Sequence, residues 1–161
     1  MRRATTTQEA IKQTRPFRSL SQEAVIALLL AAEAVRNRIA AVVARSDAIT
    51  PQQYNVLRIL RGSGPDGLPT LEIVERMIEK TPGITRLIDR LEEKQLVERS
   101  RVDHDRRQVV CRLSKAGAKL LAQLDVHVET LDDELLACLG KGELATLVEL
   151  LARVRNHQPP D

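Results

Sequence analysis

Apolar residues recur at helical spacing at Val25, Leu28, Leu29, Ala32, Val35, Ile39, Val42 and Val43. The stripe predicts one long amphipathic helix of about six turns, a length that needs something to pack against. Ser19 and Ser21 stand ahead of it as candidate caps. Thr50-Pro51 marks the next helix start, with threonine as cap and proline at the first helical position, and Tyr54, Leu57 and Leu60 on its apolar side. Gly62 to Gly67 (Gly-Ser-Gly-Pro-Asp-Gly) predicts a loop. A short helix from Thr70 carries Leu71, Val74, Met77 and Ile78. Thr81-Pro82-Gly83 then repeats the cap-and-proline signal. It opens a helix to about Gln95 that turns Ile84, Leu87, Ile88 and Leu91 inward. A short helix, a tight turn and a second helix with one apolar face predict a helix-turn-helix.

The period then changes. Leu96 to Arg99 and Val109 to Leu113 predict two strands around a charged turn, Arg101 to Arg107, and a hairpin directly after a recognition helix is a wing. Ser114 caps a further long helix with Leu120, Leu121, Leu124, Val128, Leu131 and Leu135, of about seven turns, broken at Gly140 and Gly142. Leu144, Leu147, Val148, Leu151 and Val154 mark a last helix. The predicted fold is mainly α with a small β-hairpin wing: a winged helix-turn-helix between long terminal helices that serve dimerisation. Its expected parts are a flexible or partner-dependent arm over 1–18, a dimerisation helix over 19–48, the DNA-binding lobe over 49–113, dimerisation helices over 114–157 and a disordered tail over 158–161.

Composition agrees. Hydrophobic residues make up 43% of the chain, yet Phe17 and Tyr54 are its only aromatics, so the core is aliphatic, which suits helices. The longest apolar run, Ala24 to Val35, is interrupted by Glu33, which argues against a membrane span or signal peptide. Cys111 and Cys138 lie far apart and suggest no disulfide scaffold, so a cytoplasmic location is expected. The net charge is only +3, but residues 76–115 hold eleven Lys/Arg against seven Asp/Glu, leaving fourteen against fifteen elsewhere. A local basic excess is the electrostatic footprint of nucleic-acid contact. It also fits a solvated surface, and charge alone does not choose between them.

The candidate chemistry lies on the second helix of the motif and on the wing. Opposite the apolar stripe stand Pro82, Gly83, Thr85, Arg86, Asp89, Arg90 and Glu93, with Thr81 just before them. Basic and hydroxyl groups crowd toward the helix N-terminus, the end that enters a major groove and whose free N–H groups favour phosphate. Arg86 or Arg90 suits a bidentate contact to guanine, and Thr85 a thymine methyl or a phosphate. The alternative is that both arginines are solvated or paired with Asp89 and Glu93. In the wing, Arg101, Arg106 and Arg107 are candidate DNA contacts. Arginines at a wing tip can enter a minor groove, with Asp105 placed to hold one extended. An exposed ion-pair cluster is the competing reading there.

Residues Thr50 to Gly117 resemble the MarR family of bacterial regulators. The matching stretches are Thr50-Pro51-Gln52-Gln53-Tyr54-Asn55-Val56-Leu57, Thr81 through Glu92, Leu96-Val97-Glu98-Arg99, Asp105-Arg106-Arg107 and Leu113-Ser114-Lys115-Ala116-Gly117, in order and with family-like spacing. The resemblance implies a triangular homodimer, its base formed by the first and last helices, binding a pseudo-palindromic double-stranded operator. It also implies repression, relieved by a small ligand or by cysteine oxidation. Gln95 departs from the pattern, since many relatives have glycine closing the recognition helix, and this puts a left-handed cap there in question. The loop over 62–67 is a second departure. Oxidation-sensing relatives carry a cysteine near the N-terminus, where this chain has none; Cys111 suits a buried structural thiol and Cys138 a late helical position at the dimer base. His104, His127 and His157 form no metal-ligand spacing with the cysteines, and no cofactor is expected. No residue identifies the effector. No nucleophile with a nearby histidine, phosphate loop or metal cluster supports an enzyme. A winged-helix protein-interaction module without DNA is the remaining alternative.

Overall fold

The computed structural model describes residues 5–46, 48–79, 83–102 and 105–157. A one-turn helix α1 (Thr7–Ala10), closed by a Thr6/Glu9 capping box, precedes the long α2 (Leu20–Ala44), whose cap is Ser19. Then come α3 (Pro51–Gly62), β1 (Leu68–Pro69), α4 (Thr70–Arg76), α5 (Ile84–Glu93), β2 (Val97–Val102), β3 (Asp105–Leu113), α6 (Lys115–Leu136) and α7 (Lys141–Asn156). The strands form one antiparallel sheet in the order β1-β3-β2. The expected tail at 158–161 lies outside the described residues.

Helices α2, α3 and α6 start where a hydroxyl side chain satisfies one of the helix's free N–H groups. Thr50 and Gln53 form a reciprocal capping box on α3, with Gln53 only 3% exposed. The Ser114 hydroxyl accepts from the Gly117 amide at 2.9 Å and donates to the Gln95 carbonyl at 2.7 Å, tying the start of α6 to the end of α5. One core lies under these ends. Val43, Val56, Leu57, Leu60, Ile73, Ile88, Leu91, Val97, Cys111 and Leu121 are fully buried. They join the C-terminal end of α2 to α3, α4, α5, the sheet and α6. At the edge of the core, Arg61 pairs with Asp125, and the hydroxyl of the buried Tyr54 reaches Asp125 at 3.5 Å, linking α3 to α6. Burial of the Tyr54 ring raises its pKa.

The terminal helices are apolar but barely buried within the chain. Of the 25 residues of α2 only Val42 and Val43 are buried, and α7 has no buried residue. Val25, Leu28 and Leu29 on α2 and Val148, Leu151 and Val154 on α7 face outward. Among the described residues no helix is long and apolar enough to cross a membrane.

Several boundaries differ from the sequence pattern. On α4 the phase is different: Leu71 and Ile78 are 78% and 85% exposed, while Ile73 is fully buried with Met77 beside it. The helix has seven residues, too few for its own periodicity to set its face. Instead β1, which the sequence did not reveal, fixes the entry through the pairs Leu68↔Cys111 and Pro69↔Val110. Pro69, with no N–H to give, sits on an edge strand as proline must. The wing strands are longer than expected. Arg101 pairs with Val109 and Asp105 with Val102, so Arg101, Asp105, Arg106 and Arg107 belong to strands and not to a turn. Backbone ladders do not require apolar side chains, so a run of charge did not mark a break.

Helix α5 begins at Ile84, with Gly83 as N-cap in a left-handed conformation (φ +93°); the cap expected at Thr81 and the helical start at Pro82 lie outside the described residues. It ends at Glu93, short of Gln95. The Gln95 amide donates to the Glu92 carbonyl at 2.7 Å and the Leu96 amide to the Leu91 carbonyl at 2.9 Å, a Schellman closure. Gln95 adopts φ +59°, so the left-handed cap that its identity put in question is present without glycine. A left-handed non-glycine residue costs about 1–2 kcal/mol, offset here in part by the Ser114 bond to its carbonyl. Gly142 does not break a helix but lies inside α7, which Gly140 caps. Cys138 is not helical: it follows the C-cap Ala137 and is exposed.

Candidate nucleic-acid interface

Helix α5 rests on Ile88 and Leu91, with Ile84 and Leu87 half-buried beside them. Helical periodicity therefore turns Thr85, Arg86, Arg90 and Glu93 outward, and all four are exposed. Arg86 and Arg90 enter no ion pair among the described residues, so neither Asp89 nor Glu93 neutralises them. The site of Gly83 is open, with nothing within 4 Å of where a Cβ would stand. No side chain caps the helix here. A bare helix N-terminus flanked by an arginine is a site of positive potential.

Asp89 is placed differently from its neighbours. Its Oδ1 takes an ion pair from Arg99 Nη1 at 2.7 Å, and Arg99 Nε donates to Glu92 Oε2 at 2.7 Å. Arg99 lies on β2, so this guanidinium fastens the recognition helix to the wing. The Glu92 bond, with Asp89 adding to it, raises the Arg99 pKa further above its ordinary value. Sequence reasoning read Arg99 only as a strand residue. The available signal was two acids three residues apart on one flank of a helix, followed by an arginine on an adjoining strand. On the wing, Arg101 is exposed on β2, and Arg112 donates to Ser100 across the ladder. Asp105, Arg106 and Arg107 occupy the start of β3.

Two clefts stand out among the described residues. One, of about 490 Å³, lies between α2 and α6 and is lined by Arg38, Val42, Arg45, His127, Leu131 and Glu134 among others. The other, of about 320 Å³, lies between α4, α5 and the sheet. Among the described residues no group of histidines, cysteines and acids is placed to hold a metal.

The two thiols differ. Cys111 is fully buried with the Thr70 hydroxyl 3.8 Å from its sulfur, and burial pushes its pKa up. It stays a protonated, unreactive thiol. That leaves Cys138 with no resolving cysteine in its own chain. Mild peroxide is expected to leave DNA binding unchanged in a mobility shift. A peroxide-induced release abolished by Cys138→Ser would contradict this.

A three-helix unit, α3 to α5, closed by a three-stranded sheet with a β2–β3 hairpin, is a winged helix-turn-helix. Residues 49–109 match the model of the MarR family. The chain is 37% identical to a MarR transcription factor from Planctomyces limnophilus of known crystal structure, over 85% of this chain and 98% of that one, with a TM-score of 0.65. It is 28% identical to a cysteine-to-serine variant of MarR from E. coli solved with operator DNA, over 79% and 89% of the two chains, with a TM-score of 0.71. It is 26% identical to NadR solved with 4-hydroxyphenylacetate, over 89% and 100%, also with a TM-score of 0.71. This chain belongs to the MarR family and is a winged-helix transcription regulator.

Proposed function

We propose that the chain binds a pseudo-palindromic operator as a homodimer and acts as a repressor, through binding and not catalysis, in the cytoplasm. The observation that carries this reading is the pair of exposed arginines on the outer face of α5, Arg86 in its first turn and Arg90 in its last, next to wing strands bearing Arg101 on β2 and Arg106 and Arg107 on β3. In this reading Gly83, Thr85, Arg86 and Arg90, preceded by Thr81 and Pro82, enter the major groove. Asp89 acts through its pair with Arg99. Arg106 and Arg107 reach the adjacent minor groove with Asp105 in support, and α2, α6 and α7 form the dimer base. The cognate complex of MarR with operator DNA supports the docking.

Release by a small aromatic or apolar acid fits the same family, as NadR with 4-hydroxyphenylacetate illustrates. The cleft between α2 and α6 offers Arg38, Arg45 and His127 to an anion.

The test begins with selection of bound duplexes from a random pool. On the selected operator, Arg86→Ala is expected to cost about 1–3 kcal/mol and to relax preference at one position in each half-site, because a base contact is lost twice in a symmetric dimer. Arg107→Ala should weaken binding to all sequences alike and flatten the dependence of log K on log salt by about one unit. Half-site centres should lie about one helical turn apart. If both variants melt like the wild type and bind the operator equally tightly, the DNA reading fails at its centre.

A further inference from the structure

We infer that Arg99 is a masking residue: by pairing with both Asp89 and Glu92 it offsets the negative flank of α5, so that these carboxylates do not oppose the approach of that helix to DNA. The inference rests on the DNA-binding reading of α5 and adds to it a residue that touches no DNA.

The sequence puts an unfavourable pattern on the recognition helix. Asp89 and Glu92 stand three residues apart, which places both carboxylates on the flank that faces β2. They lie within one turn of Arg86 and Arg90. Unmasked, two negative charges would sit well inside a Debye length of any phosphate that α5 approached. The fold answers with one guanidinium. Arg99 pairs across the ladder with Cys111, so its backbone is held in the body of the hairpin and not at its tip. Its Nη1 meets Asp89 Oδ1 at 2.7 Å, its Nε meets Glu92 Oε2 at 2.7 Å, and Nη2 also bonds Glu92. The Arg99 side chain is 28% exposed, less than either carboxylate. The group formally carrying two negative charges is reduced to one, and its oxygens are turned toward the wing. Only a planar fork serves both acids at once; a lysine ammonium is a point charge.

The pair also constrains geometry. Helix α5 meets the wing strand through Asp89 near its middle and Glu92 near its end, two anchors one turn apart on a ten-residue helix.

Four full-length proteins test this by mobility shift against salt, on the wild-type operator and on an arbitrary duplex: wild type, Arg99→Met, Asp89→Asn/Glu92→Gln, and the triple variant. Arg99→Met should lose at least about tenfold in operator affinity, because two bare carboxylates then face phosphate. The triple variant should recover to within about threefold of wild type, which a merely structural arginine would not allow. The double variant frees Arg99 and should bind the arbitrary duplex more tightly, with a salt slope steeper by about one unit. Wild-type affinity in Arg99→Met, or a triple variant as weak as Arg99→Met, overturns the inference. If Arg99→Met does not fold, the double variant decides, and arbitrary-duplex binding no tighter than wild type overturns it. A wild type that binds no duplex at all removes the DNA reading and this inference together. A wild type that binds, with the variants behaving otherwise than stated, removes this inference alone.

Discussion

Gly117→Ala is expected to destabilise the protein by about 3 kcal/mol, at the upper end of what overpacking a buried site costs. A Cβ on Gly117 would stand 2.3 Å from the Leu96 carbonyl oxygen and 2.8 Å from Leu113 Cδ1. The side-chain carbon could yield, but the oxygen is backbone and is engaged, accepting from the Ser114 amide at 3.2 Å. Moving it pulls on the Schellman closure of α5 on one side and on the α6 cap on the other, where Ser114 holds the Gly117 amide. One methyl group therefore strikes the junction of α5, the wing and α6. Gly142→Ala is the control. It lies inside α7 with nothing within 4 Å of its Cβ position, so the same change should stabilise by about 0.5–1 kcal/mol. Urea melts at one fixed protein concentration compare the two; opposite signs are expected, and a Gly117→Ala midpoint equal to wild type would refute the clash.

What the sequence made legible follows from the length of each signal. The stripe from Val25 to Val43 and that from Leu120 to Leu135 span many turns, so single misplaced residues could not hide the period. The caps Thr50 and Ser114 were legible because a hydroxyl ahead of an apolar run has a direct chemical use. On α4 the apolar residues Leu71, Ile73 and Val74 spread over more than one face of a seven-residue helix, and only the two-residue β1 decided that Ile73 goes inward. The extension of β2 and β3 into charged residues was hidden for a related reason. Arg101 and the run Asp105 to Arg107 carry no alternation of apolar and polar residues, so nothing local marked the strands they extend. Gln95 shows another limit: its left-handed turn is imposed by the Schellman bonds and by Ser114, nineteen residues away in the chain. The outward set Thr85, Arg86 and Arg90 followed directly from the opposite face of the buried stripe. Arg99 did not, because its role depends on which flank of α5 the wing lies against.

Leu29→Asp combined with Val148→Asp is expected to convert a dimer of twice 18.0 kDa into a folded monomer. Leu29 is 60% and Val148 68% exposed within one chain, and neither belongs to the core of the DNA lobe. Around them Val25 and Val154 are 58% and 61% exposed, so the apolar faces of α2 and α7 are too extensive to be left in water. Burying a valine or leucine side chain contributes about 1.5–3 kcal/mol, and an obligate interface built from such faces commonly exceeds about 2,000 Å². A twofold axis repeats each substitution, so the double variant puts four carboxylates into one apolar interface, where burial of an unpaired charge is prohibitive. Because the lobe core from Val43 to Leu121 is untouched, helicity by circular dichroism should stay near wild type. Operator affinity should fall by two orders of magnitude or more, since the second half-site is no longer bound at the high effective concentration that linkage provides. Light scattering at micromolar concentration reads the mass directly. A wild type that is a stable monomer there, or a double variant that remains dimeric with full operator affinity, would show that these helices do not form the base of the assembly.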